Sequence, residues 1–232
     1  MAPVVGAHIV DVTFKEKRIL VHLDDGRALA APLTSVGPTV AAMSAAERAG
    51  WILTDSGHGV NWPAAGQTSE GDALSVWSIE QDALFEEALA ELESAEWKPD
   101  ALAPRSRALI ALWRLVADGY NGGLLQFLGN WGIAEVQTAR AALSECGAHR
   151  TNTALQEFWD LIRPITESED VSTIDDVYRA VAGELAPRVD EIDEGFWDAA
   201  EELTLRVPLT YGPARSALES PAAESPAVGH DE

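Results

Sequence analysis

Near Ile79 the spacing of apolar residues changes, and this constrains the fold more than any other feature of the chain. Before it lie short β-rich runs at 4–13 and 18–24, and a third short segment at 27–32 beyond a turn signal. After it, Leu84, Phe85, Ala88, Leu92 and Ala95 recur at three- and four-residue steps through 80–97. A strand returns to one face at every second residue and a helix at about every 3.6, so the two stretches cannot share one kind of layer. The expectation is an α+β chain. A small β-rich α+β domain occupies 1–78 and an all-α helical domain 79–211, and a Pro-, Ala- and Ser-rich acidic tail at 212–232 reads as disordered. With 47% of residues apolar, each domain has enough to bury a core.

Local signals fill in the elements. In the first domain Asp25-Gly26 predicts a hairpin with a type I′ turn, in which glycine accepts positive φ. Pro38 opens a helix expected to reach Ala49, with Ser44 or Thr39 as cap. Segments 51–54, 58–62 and 73–77 read as further strands, separated by Ser56-Gly57 and a loop at 66–71. In the second domain Pro99 ends one helix, and Pro104 starts another over 105–118, with Leu109, Leu112, Trp113 and Val116 inward. A short helix follows Asn121, and the next spans 134–146 and stops at Gly147, a favourable residue just past a helix end. A helix over 151–163 is expected to end at Pro164. Ser172-Thr173-Ile174-Asp175 has the form of a capping box for a helix running to Ala186. The last helix, 189–206, carries Ile192, Phe196, Trp197, Ala200 and Leu203 at helical spacing.

Charge narrows the function classes. The chain holds 38 acids and 16 bases, a net charge of −22, and residues 81–215 alone carry 25 acids and 11 bases. Such a field repels nucleic acid and anionic membranes and attracts basic surfaces, so direct nucleic-acid binding is not expected. The longest apolar runs, such as 108–113, are far too short to cross a bilayer. A single cysteine, Cys146, leaves no internal disulfide, and MAPVVGAHIVDV lacks a basic leader; a cytoplasmic protein is expected. Composition alone leaves a second meaning open. Lysine occurs only at 15, 17 and 98 and alanine is abundant, a pattern in which acidity serves solubility and nothing more.

The most distinctive string is Asn121-Gly122-Gly123-Leu124-Leu125-Gln126-Phe127-Leu128-Gly129-Asn130. With Ala111–Leu115 before it and Ala142-Leu143 and Gly147-Ala148 after it, the chain over about 80–210 resembles the DNA-mimic protein family, marked by an NGGFxQFxxN-like signature. Asn121, Gly122, Gly123, Gln126, Phe127 and Asn130 match, while Leu124 stands where phenylalanine is usual. Physically the string lets one helix end and another begin in a tight corner, with Asn121 as cap and Gln126 and Asn130 on one face, bonding nearby backbone. It lacks the lysine and hydroxyl of a phosphate loop.

The first domain resembles a family of small bacterial domains of unknown function. The resemblance rests on Asp25-Gly26-Arg27, Pro32-Leu33, the run from Trp51 through Gly57-His58-Gly59-Val60-Asn61-Trp62-Pro63, and Ala73-Leu74-Ser75-Val76. The acidic run usual before its last strand is reduced here to Glu70 and Asp72. That family implies no activity, and the domain reads as an accessory recognition or assembly module.

Catalysis finds little support. Ser56 and His58 flank a glycine, and residues that close in a turn rarely align as nucleophile and base. His8, His22, His149 and His230 are scattered, and no Cys/His spacing suits zinc, so neither metal nor cofactor is expected. Cys146 sits in an apolar helix, where burial is the simpler fate. Trp62 and Trp131 lie near loops, where either can serve an interface.

The acids form rows. On a helix, residues three and four apart stand about 5–6 Å apart, similar to successive backbone phosphates. One row is Asp82, Glu86, Glu87, Glu91 and Glu93, with Glu87 and Glu91 as its ladder; a loop and helix-start cluster holds Glu167, Glu169, Asp170, Asp175 and Asp176. The densest block is Asp190, Glu191, Asp193, Glu194, Asp198, Glu201 and Glu202. The resemblance implies that these carboxylates imitate a short duplex and occupy the basic groove of a transcription regulator, nucleoid protein or nuclease, as a competitive inhibitor without chemistry. A homodimer is compatible with it. The alternative is an adaptor or immunity-type module whose acidity is incidental, binding through mixed polar and apolar residues around Trp62.

Overall fold

The computed structural model describes residues 6–214, and the chain divides between Ile79 and Glu80 into two units. The expected tail from residue 215 onward, and residues 4 and 5 of the first expected strand, lie outside the described residues.

In the first unit β1 (Ile9–Lys15), β2 (Arg18–Leu23) and β3 (Ala28–Pro32) pair antiparallel in that order, with Val12 opposite Val21 and Val21 opposite Leu29. The central strand buries Ile19, Leu20, Val21 and Leu23. The turn after β2 differs from the expected type I′. Leu23 N bonds Arg27 O at 2.9 Å, leaving three residues in the loop, and only Gly26 has positive φ, at 86°. Asp25 is the reason, because its carboxylate accepts from the Arg27 amide at 3.0 Å and from Arg27 Nε at 2.7 Å, which holds a three-residue turn. The helix expected over 38–49 is two short ones, α1 (Pro38–Ala42) and α2 (Ala45–Arg48), since Ser44 is extended and forms a capping box with Glu47. A second small sheet joins β4 (Ile52–Leu53), β5 (Gly59–Asn61) and β6 (Leu74–Ser75).

The rest is helical. Helix α3 (Val76–Ser94) buries Leu84, Phe85, Ala88 and Leu92, the expected stripe. Helix α4 (Pro104–Glu145) turns corners at Gly123 (φ 81°, ψ 178°) and Gly132 (φ 78°, ψ 177°), backbone conformations that are essentially glycine's alone. Its three pieces correspond to the helices expected around 105–118, after Asn121 and over 134–146. Helix α5 (His149–Thr166) runs on past Pro164. That proline lies in the final turn, where it and Asp160 are exposed, so the Asp160 carbonyl left without an amide faces water. Then follow α6 (Ile174–Val181), α7 (Ala186–Ala200) and α8 (Leu203–Tyr211). Thus the helix expected to reach Ala186 stops at Val181, and the one expected over 189–206 is broken at Glu201 and Glu202.

Helix α5 packs on both α4 and α7, and α4 packs on α7. Leu109, Leu112, Leu115, Phe127, Phe158 and Phe196 are fully buried at these contacts, each contributing about 1.5–3 kcal/mol of transfer free energy. Trp113 and Val116, expected inward, are only half-buried, and Trp197, part of the helically spaced set of the last helix, remains 41% exposed. Polar links fix the packing. Glu202 Oε1 accepts from the Thr151 amide at 2.8 Å and hydroxyl at 3.0 Å, and Arg105 donates twice to the Tyr211 carbonyl. Inside α4, buried Glu135 pairs with Arg107 and with Arg114 Nη1, the latter at 2.8 Å.

Candidate protein-binding surface

The signature string is spent on the corner it makes. The chain stays helical through Gly122, and Asn121 Nδ2 donates back to the Ala117 carbonyl at 2.7 Å rather than capping the next segment. The cap comes from another helix: Asp193 Oδ1 of α7 accepts the Leu124 amide at 2.8 Å. Gln126 Nε2 and Asn130 Nδ2 bond the Asp118 carboxylate at 2.9 and 3.0 Å, where nearby backbone had been expected, and Trp131 Nε1 joins them at 2.6 Å. Phe127 is fully buried. Asp118 carried no signal in the sequence, because its partners lie eight to thirteen residues away around the corner at Gly123.

The structure divides the candidate acids by use. Asp193 is buried, its carboxyl raised by desolvation against the pull of the Leu124 amide, so it is removed from the surface. Glu202 is turned onto the start of α5. Glu191 shares Arg188 with Glu157. On α3 the Glu87–Glu91 ladder meets the start of α4: Arg105 lies 3.9 Å from Glu87, and the Ser106 hydroxyl donates to Glu91. Both sit one turn beyond buried Leu84 and Ala88, on the seam where that helix packs.

Asp176 closes a capping box with Thr173, one residue later than expected, and also pairs with Arg179 at 2.6 Å. The shift follows from the carboxylate's reach, since it accepts the amides of both Ser172 and Thr173, at 3.0 and 2.8 Å. The Ser172 amide first, and then the Thr173 hydroxyl and amide, hold the Asp176 carboxyl down at about 2, against an ordinary 3.8. A lowered folded pKa stabilises fully above the ordinary value, and that stability is lost as pH falls through the folded one. The Ser172 and Thr173 amide resonances should therefore shift with a midpoint near pH 2, and Asp176→Ala should abolish that transition.

The remaining candidates, Asp82, Glu86, Glu93, Glu167, Glu169, Asp170, Asp175, Asp190, Glu194, Asp198 and Glu201, are exposed and carry no ion pair among the described residues. Although Asp82 is exposed, its carboxyl is raised by the protein around it and then by the charge of Glu86. On α7, Asp190, Glu194 and Asp198 follow one another at four-residue steps, a rise of about 6 Å each. Glu201 extends the row at the helix end.

Other candidates resolve simply. Trp62 is fully buried, with Nε1 bonded to the Arg48 carbonyl at 2.8 Å, so it offers no binding surface. Trp131 is 40% exposed, and Arg114 lies over its ring at 3.7 Å. The Ser56 hydroxyl bonds Thr54 and Glu70 and accepts the backbone amide of His58, whose ring Nε2 instead meets the Gly6 carbonyl. Cys146 is buried. No helix among the described residues is long and apolar enough to cross a membrane.

Residues 100–211 match the model of the family described as DMP19-like protein, a family of DNA mimics. That stretch of the helical unit is similar to the DMP19-like family. Residues 9–68 match a protein of unknown function (DUF2442), so the DMP19-like unit is preceded by a small domain to which no activity is attached. No curated protein and no solved structure matches the chain. The DMP19-like match begins after α3, so Asp82, Glu86, Glu87, Glu91 and Glu93 precede it, whereas the α7 row lies inside it.

Proposed function

We propose that the DMP19-like unit binds a DNA-binding protein by offering carboxylates where DNA offers phosphates, and competitively blocks its DNA interaction. The partner is a transcription regulator, nucleoid protein or nuclease with a basic groove, and binding involves no chemistry. The observation that carries the proposal is the row Asp190, Glu194, Asp198 and Glu201, exposed and without ion pairs among the described residues, beside Glu191 and Asp193, the other acids of that helix, which are turned to structural use. Like charges at four-residue spacing cost a few tenths of a kcal/mol per pair, so a row whose carboxylates take no arginine partner among the described residues favours a use outside the fold. The exposed loop acids Glu167, Glu169, Asp170 and Asp175 extend the negative surface.

The test is capture of a partner from native lysate, then competition with duplex DNA across a salt series. Binding weakens with salt as charges are screened, less steeply than for DNA, whose condensed counterions add to the slope. The quadruple variant Asp190→Asn, Glu194→Gln, Asp198→Asn, Glu201→Gln should lose roughly 10²-fold in affinity. Its stability should be unchanged or slightly higher. A captured partner without DNA affinity, or one indifferent to salt and to the four changes, would overturn the proposal.

A further inference from the structure

Two aromatic rings stand beside the α7 row with their polar atoms already used. Tyr120 is 50% and Trp197 41% exposed. The Tyr120 hydroxyl donates to the Trp197 carbonyl at 3.1 Å, and Trp197 Nε1 donates to the Gly119 carbonyl at 2.7 Å. These reciprocal bonds tie α4 to α7 and hold both rings in place. Tyr120 also leans on fully buried Phe196, ring centroids 6.3 Å apart. What remains open to solvent is therefore ring surface rather than hydrogen-bonding groups.

The surroundings are negative. Asp198 follows Trp197 directly, Glu201 comes one turn later, and both are exposed. The Tyr120 hydroxyl sits at the carbonyl of the Trp197–Asp198 peptide. Its phenol is pushed up by burial and then by the charges of Glu201 and Asp198, in keeping with carboxylates close to the ring edge. Arg150 approaches only the Asp198 carbonyl, at 3.0 Å. Among the described residues no cation lies over either ring.

We propose that Tyr120 and Trp197, flanked by Asp198 and Glu201, form a platform that receives an arginine side chain of the basic partner. This rests on the mimicry reading and adds a residue preference to it. Carboxylates alone attract both lysine and arginine and favour arginine only through its bidentate fork. A ring face distinguishes them, because the guanidinium is planar, weakly hydrated and able to stack while its edge bonds carboxylate. The same arrangement already exists inside the unit: Arg114 lies over the Trp131 ring at 3.7 Å and bonds Glu135 at 2.8 Å. At Trp131 the cation is supplied by the chain, and at Trp197 the partner supplies it.

The test uses the full chain with two probes, a nona-arginine and a nona-lysine peptide, at fixed ionic strength. The wild type should prefer the arginine peptide by roughly fivefold or more. Trp197→Ala and Tyr120→Ala should each weaken arginine-peptide binding several-fold and leave lysine-peptide binding unchanged, so that the preference shrinks towards what the carboxylates alone give. Tyr120→Phe, which keeps the ring and loses only its hydrogen bond, should retain it. A readout that needs no destabilising change is the ¹⁹F resonance of 5-fluorotryptophan at position 197, assigned with Trp197→Phe. It should shift on adding the arginine peptide and stay nearly still with the lysine one. Equal, salt-sensitive binding of both peptides, with the Trp197 resonance unmoved, would overturn the platform and leave mimicry standing. If neither peptide binds, the acidic surface and the platform fall together.

Discussion

Glu135→Ala should destabilise the helical unit by about 3–5 kcal/mol, among the largest losses available to a single substitution in this chain. Glu135 is 3% exposed and holds two guanidinium groups, Arg107 at one oxygen and Arg114 at the other. Removing it leaves two positive charges close together in a place water scarcely reaches. Each guanidinium already has one buried nitrogen without a partner, Arg107 Nη1 and Arg114 Nε, and what remains to them besides Glu135, the Thr138 hydroxyl at 3.4 Å from Arg107 and the Trp131 ring under Arg114, carries no negative charge. The loss thus comes mainly from the stranded charges rather than from the missing attraction. Two comparisons separate these causes. Glu135→Gln keeps an acceptor and should cost less. Replacing all three residues by apolar ones of similar volume should be far milder than the single change, because no charge is left buried. Urea unfolding monitored by tryptophan fluorescence measures all three variants. A Glu135→Ala loss below about 1 kcal/mol would mean that the triad is more hydrated than its burial indicates.

Gly123→Ala should cost about 3 kcal/mol or more, for two separate reasons. The backbone at φ 81° and ψ 178° is one that residues with a side chain avoid. In addition, a Cβ built there falls 2.1 Å from Asp193 Oδ2, the carboxylate that caps the next segment. The new methyl must displace that carboxylate and so break the bond to the Leu124 amide. Gly132 offers the control. Its backbone is nearly the same, at φ 78° and ψ 177°, but nothing lies within 4 Å of the Cβ position. Gly132→Ala should therefore show the conformational strain alone, about 1–3 kcal/mol. Thermal unfolding should lower Tm by roughly 2–4 °C per kcal/mol for a chain of this size, so Gly123→Ala should melt well below Gly132→Ala. Equal losses would show that Asp193 yields at no cost and that its cap contributes little.

How much was legible beforehand depended on the range of the forces involved. The period change near Ile79, the stripe of α3, the corner at 121–130 and the stop at Gly147 all follow from residues within a turn or two of one another. Where a boundary moved, the reason was also local but finer than pattern reading resolves. Asp25 held a three-residue hairpin loop through Arg27 where a two-residue turn is expected, and Asp176 outcompeted Asp175 for the amides ahead of α6. Pro164 was tolerated because an unpaired carbonyl in a last turn reaches water.

The sequence by itself determined that this chain would have a small β-rich part, a helical part and a surplus of carboxylates concentrated in the latter, and its glycine-anchored string pointed to the DNA mimics. Only the tertiary structure decided which carboxylates are free. Asp193 and Glu194 are neighbours with the same chemistry, yet one caps Leu124 across 69 residues while the other faces solvent without an ion pair. Glu202 is drawn onto Thr151 across 51 residues, and Trp197 and Tyr120 meet across 77. Helical periodicity sets the angle of each side chain about its own axis. It carries no information on which amide, guanidinium or ring another helix will bring to that angle, and this decides whether an acid is spent inside the fold or left at the surface.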